Sequence, residues 1–250
     1  ENYDPDMIWF DTGLGAMRES YRRRMVADFF NRAVQQHKEV MVAYKEDDLP
    51  PGVGVKDLEL AQMRDLADFP WMTDTSVDDQ GAWSHVQGAR FKSVDRLVDN
   101  LVDIVSKNGC LLLNIGPRPD GTIPDEEVTV LKTLGKWTSK HSEAIYGTSA
   151  GLPAGYFHGP STIGSDSTML YLFVSGDPRG QVMLEGVRNK INRIYVVGFS
   201  MGATGVWNLI LKNPNLLVYS LNHIQMVFVE ITIIVSNFCY TNISCNVFER

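Results

Sequence analysis

Acidic side chains are the residues of this 250-residue chain that are best suited to catalysis. Asp11 directly follows the apolar run Met7-Ile8-Trp9-Phe10, a pattern typical of a buried strand that opens into a loop. In α/β folds, ligands and catalytic groups gather at the carboxyl ends of such strands. A carboxylate beside Trp9 would suit a partly dry pocket lined by aromatic rings. An aspartate that only caps the following loop is the equal alternative.

A second group combines acids with aromatic rings further along the chain. Asp74, Asp78 and Asp79 lie close in sequence to Trp71 and Trp83. Because aromatic faces stack on sugar rings, this composition predicts a loop in which Trp71 and Trp83 bind a carbohydrate. For Asp78 and Asp79, a solvated acidic loop is the favoured interpretation.

The first 150 residues alternate strand signals with helix signals, and these elements must position the acids. Apolar runs predict strands at 7–10, 39–44, 70–73 and 110–115, and helical spacing predicts helices at 19–37, 93–108 and 124–145. Ser93 is the expected N-cap of the middle helix. Alternation of this kind favours βα units around a parallel sheet. About four units are present, against the eight of a complete barrel of ~250 residues.

Beyond residue 150 the pattern changes to short β-rich runs at 169–174, 181–184 and 194–197, joined by tight turns. This spacing indicates antiparallel β structure. From residue 209 onward only four charged residues remain, and the apolar run 224–235 predicts one or two strands or a misfit tail.

Composition excludes several classes of protein. The net charge of −7 argues against a nucleic-acid-binding protein, and no apolar run reaches the ~20 residues needed to cross a bilayer. Cys110, Cys239 and Cys245 lack metal-ligand spacing, so we expect no metal site. Cys110, within its run of leucines, is expected to be buried.

Four segments match, in order, the motifs of one known family. Residues 3–11, Tyr-Asp-Pro-Asp-Met-Ile-Trp-Phe-Asp, fit a nucleophile-strand pattern Y-x-P-D-x-x-W-x-D. Residues 101–117 are similar to that family's most recognisable segment, and residues 120–124 and 143–148 to motifs that follow it. The chain therefore resembles the α-L-fucosidases of glycoside hydrolase family 29. The resemblance extends to about residue 197, where the strands resemble the start of the family's C-terminal β-sandwich.

The resemblance implies a retaining, exo-acting glycosidase that removes terminal α-L-fucosyl residues from glycoconjugates. One carboxylate attacks the anomeric carbon and forms a covalent intermediate, while another protonates the leaving oxygen and then activates water. By position, Asp11 matches the nucleophile and Trp9 the aromatic residue next to the sugar. Many family members have their acid/base glutamate where this chain has Met72, and a thioether cannot donate a proton.

The acid/base must therefore come from elsewhere in the chain. Other branches of the family use a glutamate on the preceding loop, and residues 50–66 offer Glu59, with Asp74 as the second candidate. For both residues, a plain surface or supporting carboxylate is the alternative. The resemblance implies no cofactor and a fucosylated glycan as substrate.

The implied architecture is a partial (β/α) barrel at 1–150 that lacks its N-terminal half, a partial antiparallel β-sandwich at 151–197 and an unassigned tail at 198–250. The family's first half-barrel and its fucose-binding histidines have no counterpart here, so we expect weak activity or none. A non-catalytic fragment that binds glycan, or pairs with a complementary half-barrel or a second copy, is the alternative, because unpaired edge strands invite pairing. Family members are periplasmic, secreted or lysosomal, although the chain opens without a targeting segment.

Residues 192–217 resemble a different family, the α/β-hydrolases. Gly198-Phe199-Ser200-Met201-Gly202 fits the G-x-S-x-G nucleophile elbow between a strand and a helix. The catalytic order in that fold is Ser, acid, His, whereas here His223 precedes Glu230. A serine esterase that uses Ser200 is therefore not favoured, and we expect two unrelated segments to join near residues 197–198.

Overall fold

The computed structural model describes residues 3–11, 13–174 and 184, together with the backbone of two strands at Ile191–Val197 and Val229–Val235. The chain divides into two compact units, Glu1–Lys140 and His141–Arg250. The elbow around Ser200 and residues 181–183 of a predicted strand lie outside the described residues.

The first unit is built on a parallel sheet of five strands in the order β1-β2-β3-β4-β5. These strands are β1 (Met7–Phe10), β2 (Met41–Tyr44), β3 (Val55–Asp57), β4 (Trp71–Ser76) and β5 (Gly109–Asn114). The spatial order equals the chain order, as in one side of a (β/α) barrel and unlike a doubly wound sheet, whose strand order reverses. The predicted partial barrel is confirmed.

The outer face of this sheet forms the hydrophobic core with helices α1 (Glu19–Gln35) and α2 (Val94–Val105), and α3 (Asp125–Lys140) packs on α2. One cluster lies between α1 and the strands β1 and β2, and its buried members are Leu14, Val26, Val42, Tyr44 and Leu49. A second cluster lies between α2 and β4, with Ala67, Trp71 and Ile104 buried. Burial of this outer face fixes which side chains point the other way, because they alternate along a strand.

Helix α2 forms as the sequence predicts. Ser93 Oγ accepts a hydrogen bond from the backbone nitrogen of Arg96 at 3.2 Å, which satisfies one of the free N–H groups at the helix start. The chain then turns into β5 at Gly109, where a Cβ atom would lie 2.6 Å from Ile104 Cγ2 and 2.6 Å from Trp71 Cζ2. Only glycine permits β5 to start this close to α2 and β4.

The inner face of the sheet is less covered at its β5 side. Parallel pairing places Trp9 beside Ala43 and Met72 beside Cys110, so these side chains share the face away from the helices. Cys110 is exposed, contrary to expectation, and Leu112 is 37% exposed on the same face. In a complete barrel, this face would line the packed interior.

Two differences from the sequence prediction concern short elements. Strand β3 lies within residues 50–66, which were predicted as a loop, because three residues are too few to reveal a period-two pattern. The predicted helix 124–145 breaks at Lys140, and α4 (Ser142–Ile145) belongs to the second unit.

The connections 45–54 and 58–70 contain no helix, and a groove of 1260 Å³ lies there against α1 and β2.

The second unit contains an antiparallel sheet, as predicted, in the order β6-β7-β8-β10-β9. Its strands are β6 (Thr148–Ala150), β7 (Ser161–Gly164), β8 (Met169–Leu172), β9 (Ile191–Val197) and β10 (Val229–Val235). Strand β10 lies between β8 and β9, so residues 229–235 of the apolar run 224–235 form one strand of the sheet, and residues 224–228 lie outside the described residues. No helix in the described part of the chain is long and apolar enough to cross a membrane.

Leu97 on α2 is 0% exposed in the core of the first unit, so we expect that shortening its side chain lowers the free energy of unfolding considerably. Leu97→Ala should lower the free energy of unfolding by about 3 kcal/mol, because it removes buried methyl groups and leaves a cavity. Leu66→Ala makes the same change at a 38% exposed side chain and should cost about 0.5 kcal/mol. Urea denaturation of both variants measures the difference; equal losses would contradict the assigned core.

Candidate active site

One ammonium group and four carboxylates meet at the carboxyl ends of the parallel strands. Lys45 Nζ lies 2.6 Å from Glu59 Oε2, 2.8 Å from Asp11 Oδ1, 3.4 Å from Asp74 Oδ2 and 4.0 Å from Asp57 Oδ2. We call these five residues the carboxylate cluster. The sequence selected three of them, and the structure brings all three to one nitrogen atom.

Neighbouring strands supply the members of the cluster at matching heights. Phe10 pairs with Tyr44, so the residues that follow, Asp11 and Lys45, leave β1 and β2 side by side. Asp57 is the last residue of β3. The chain continues along β4, since the backbone nitrogen of Leu60 donates to the carbonyl oxygen of Asp74 at 3.1 Å. The geometry of the cluster is therefore a product of parallel register.

The four carboxylates form two layers that differ in exposure. The side chains of Asp57 and Asp74 are 0% and 5% exposed, whereas those of Asp11 and Glu59 are 61% and 46% exposed. Asp57 Oδ1 and Asp74 Oδ1 are buried without a hydrogen-bond partner among the described residues. The buried pair thus lies behind the ammonium, and the exposed pair is accessible to a ligand.

The charge of Lys45 is secured by its neighbours. Burial by itself lowers the pKa of Lys45, but hydrogen bonds with Asp11 and Glu59 and the charge of Asp74 outweigh burial and raise the pKa above its ordinary value. Lys45 is consequently a permanent cation at any physiological pH.

Trp9 contacts the carboxylate cluster and keeps part of its ring exposed. Its Nε1 donates a hydrogen bond to Asp57 Oδ2 at 2.9 Å, and Lys45 Nζ lies 5.3 Å from the ring centroid. Trp9 is 38% exposed, so its ring is fixed from behind yet accessible. The role of Trp9 next to the sugar stays a prediction from the sequence.

The other two tryptophans have different positions. Trp71 is 0% exposed, packs in the outer-face core and donates from Nε1 to the carbonyl oxygen of Lys107 at 2.8 Å. The structure therefore corrects the expected role of Trp71 in sugar binding. Side chains alternate along a strand, so Trp71 points to the outer face whereas the next residue, Met72, points to the inner face. Trp83 is 38% exposed, and its carbonyl oxygen accepts a hydrogen bond at 3.0 Å from Asn114 at the end of β5. Trp83 thus lies near the carboxyl end of β5.

Sequence reasoning missed Lys45 and Asp57. Lys45 directly follows an apolar strand, which is the signal that selected Asp11, so the same rule applied to β2 would have found it. Asp57 lies in a strand too short to recognise. Neither residue has a motif of its own.

The oxygen atoms of the exposed pair that face Lys45 are close enough together for one known catalytic arrangement and too close for another. Because Asp11 Oδ1 and Glu59 Oε2 lie 2.8 and 2.6 Å from one nitrogen atom, their separation cannot exceed about 5.4 Å. Retaining glycosidases place their two carboxyl groups roughly 5–5.5 Å apart, whereas inverting enzymes leave room for a water molecule at roughly 6.5–9.5 Å. The pair is suited to nucleophilic attack followed by acid/base catalysis.

Other features of the described residues do not suggest a separate site. No group of three or more His, Cys, Asp or Glu residues there has a geometry that could hold a metal ion. The groove of 1260 Å³ is lined by outward-facing residues such as Tyr44 and Lys56, and none of the five residues of the carboxylate cluster lines it.

The buried carboxyl group of Asp57 should make the free energy of unfolding depend on pH. Burial raises the pKa of the Asp57 carboxyl above its ordinary value of 3.8, although the hydrogen bond from Trp9 opposes this. The folded protein therefore binds this proton more tightly than the unfolded chain, and ionising Asp57 costs stability as pH rises through that range. Asp57→Asn should become progressively more favourable, relative to wild type, as pH rises above the ordinary carboxyl pKa of 3.8.

Urea unfolding at a series of pH values tests this prediction, with Asp47→Asn as the matched control. A hydrogen bond to Lys56 lowers the pKa of Asp47, so its ionisation stabilises the fold and the control should show a slope of opposite sign. Parallel pH slopes for Asp57→Asn and wild type would show that the burial of this carboxyl has no effect on stability.

Comparisons with known proteins identify the family of the chain. A family model described as Alpha-L-fucosidase matches residues 1–143. The tissue α-L-fucosidase of Bos taurus is 36% identical over 88 residues, which is 34% of this chain and 19% of that protein. The α-L-fucosidase of Dictyostelium discoideum is 40% identical over 63 residues, which is 25% of this chain and 14% of that protein.

Solved structures extend the similarity over most of the chain. Thermotoga maritima α-fucosidase in complex with fucose has a TM-score of 0.58 and 26% identity, and the match covers 94% of this chain and 49% of that one. α-L-Fucosidase isoenzyme 1 from Paenibacillus thiaminolyticus has a TM-score of 0.64 and 20% identity, covering 91% and 57%. The chain thus spans about half the length of these structures. With its cluster of carboxylates at the barrel edge and a family model matching more than half of its residues, the chain belongs to the α-L-fucosidase family.

Proposed function

We propose that this chain supplies the catalytic carboxylate pair of a retaining α-L-fucosidase, which hydrolyses terminal α-L-fucosyl residues of glycoconjugates. The observation that supports the proposal is the placement of Asp11 and Glu59 on one ammonium group, at 2.8 and 2.6 Å. Their limited separation suits a two-step reaction that passes through a covalent intermediate.

Asp11 is the proposed nucleophile. Its oxygen attacks the anomeric carbon of the fucosyl group, the glycosidic bond breaks, and a glycosyl ester forms on Asp11. Asp11 follows β1 at the carboxyl edge of the sheet, with a side chain 61% exposed, so a sugar can approach it. The exposed ring of Trp9 stands two residues before it and offers an apolar surface for the sugar.

Glu59 is the proposed acid/base. It gives its proton to the leaving oxygen in the first step and takes a proton from water in the second, when that water releases fucose from Asp11. Asp74, the second candidate from the sequence, has a side chain that is 5% exposed and lies behind Lys45. A carboxyl in that position cannot reach a glycosidic oxygen, which favours Glu59.

The substrate class follows from the relatives. The T. maritima structure is a complex with fucose. We extend that specificity to this chain as a proposal, because the chain spans only about half of that protein. Trp83, at the same edge of the sheet, is a further surface for the sugar or the group that leaves.

A complementary set of strands belongs to the proposed enzyme. Strands β1 and β5 are the edges of the described parallel sheet, and each presents unpaired backbone groups on its outer side. A barrel interior is packed by side chains from all around its circumference, and five strands provide only part of it. We propose that a further half-barrel, from the same polypeptide or from a partner, closes the site.

Removal of either carboxylate should slow turnover through a different step. Asp11→Asn should lower kcat for an aryl α-L-fucoside by a factor of about 10³ or more, because no glycosyl ester can form. Glu59→Gln should lose about 10²–10⁴-fold in kcat/KM, which reports the first step, with a poor leaving group and much less with a good one, which departs without a proton. Stopped assays with two aryl fucosides of different leaving-group acidity measure the contrast.

The controls for this prediction keep the same chemical change away from the site. Asp47→Asn on the outer face and Glu126→Gln at the exposed start of α3 should retain wild-type rates. An Asp11→Asn variant that keeps the wild-type rate would exclude Asp11 as nucleophile, and equal losses of kcat/KM on both substrates for Glu59→Gln would exclude it as the acid.

Completion of the barrel should raise activity. The chain alone is expected to turn over an aryl fucoside weakly, because water enters the site across the open inner face. Adding an N-terminal half-barrel of an α-L-fucosidase should increase the Asp11-dependent rate by a factor of about 10 or more, since excluding water strengthens the electrostatic interactions at the site. Activity measurements along a titration of the added half test this. Tight fucose binding by the chain without turnover at any ratio would indicate a glycan-binding protein instead.

A further inference from the structure

We infer that Lys45 is a positioning residue, which holds Asp11 and Glu59 at the separation of a retaining pair by anchoring both to one buried ammonium group. The inference deepens the proposed function and rests on it for the chemical roles of the two carboxylates. The geometric claim itself concerns only the placement of charged groups around Lys45.

The ammonium of Lys45 is held from behind. Its side chain is 11% exposed and leaves the inner face after β2, and its Nζ lies 3.4 Å from the buried Asp74 Oδ2 and 4.0 Å from the buried Asp57 Oδ2. Both aspartates belong to strands and cannot follow a moving cation. Lys45 is therefore a fixed point, unlike a typical surface lysine, whose flexible side chain gains little from an ion pair.

The two exposed carboxylates meet this fixed point from the front. Asp11 follows a short strand and Glu59 lies just beyond β3, so neither is held by the packing of a helix. Two like charges this close repel each other, and in the described residues the only cation that lies within 4.0 Å of either oxygen is Lys45. Without it, the two side chains would separate into solvent.

The number of donors favours a role of Lys45 through the carboxylates rather than on the substrate. An ammonium has three N–H bonds. Three carboxylates, those of Glu59, Asp11 and Asp74, lie within 3.4 Å of Nζ. Lys45 therefore has as many nearby carboxylates as N–H groups, and the fourth carboxylate, Asp57, accepts a hydrogen bond from Trp9.

The experiment compares three lysine variants of the full chain. Lys45→Met removes the charge and keeps the length, Lys45→Arg keeps the charge, and Lys56→Met removes a lysine that pairs with Asp47 on the outer face. Crystal structures give the distance between the carboxyl groups of Asp11 and Glu59. The rate at which 2-fluoro-fucosyl fluoride attaches to Asp11, followed by intact-protein mass, reports how well the nucleophile is placed.

In Lys45→Met, we expect the two carboxyl groups to move apart and the labelling rate to fall at least 100-fold. Lys45→Arg should restore the separation and label within about tenfold of wild type, and Lys56→Met should match wild type. If Lys45→Met fails to fold, Lys45→Met with Asp74→Asn removes one buried carboxylate charge and allows the same two measurements.

The outcomes separate this inference from the proposed function. Carboxyl groups that stay in place, or a wild-type labelling rate, in a folded Lys45→Met variant would overturn the positioning role. A wild-type chain that is not labelled even with an added N-terminal half-barrel, but whose carboxyl groups separate in Lys45→Met, would refute the proposed nucleophile and support the positioning role.

Discussion

The interaction on which the site depends is the ion pairing of Lys45 with two buried aspartates. Burying a carboxylate without a partner is costly, and Asp57 and Asp74 each have one oxygen without a hydrogen bond among the described residues. At 4 Å, a pair of unit charges interacts by about 4 kcal/mol in the intermediate dielectric near a protein surface. One cation cannot neutralise four carboxylates at that scale. The cluster is tolerable because Asp11 and Glu59 remain partly in water, which is also what makes them accessible for chemistry.

The packing of the sheet determines which residues join that cluster. Helices α1 and α2 bury Tyr44 and Trp71 on the outer face, so the residues next to them along each strand, including Lys45 and Met72, must point inward. A one-residue slip of β2 would exchange Tyr44 and Lys45, exposing an apolar ring and burying an ammonium in the core. The hydrophobic effect that stabilises the outer face therefore also fixes the charges of the inner face. The strand register that buries the hydrophobic core is therefore the same one that places the charged residues of the site.

Sequence reasoning recovered the parts of this arrangement that have local signatures. Asp11 was found from a strand end, α2 from its cap and apolar face, and Glu59 only through family resemblance. Strand β3 has three residues and no visible periodicity, so Asp57 could not be recognised. Trp71 was assigned to sugar binding because its chemistry suits a sugar, yet its position is one residue out of phase with Asp74 and Met72. Residue type suggests a role, but only the strand register decides which face receives it.

The same register shows why the described strands favour a larger enzyme. Met72 is 4% exposed on the inner face, whereas Leu112 on the neighbouring strand is 37% exposed, so burial declines toward the β5 edge. A barrel interior normally excludes water with layers of such side chains. Catalysis by two carboxylates benefits from that exclusion, since charge interactions weaken several-fold as water enters. Lys45 can set the spacing of Asp11 and Glu59 without a complete barrel, but it cannot exclude water from the site. Placement of the proposed catalytic pair and exclusion of water therefore have separate structural requirements, and the five described strands of the parallel sheet can meet only the first.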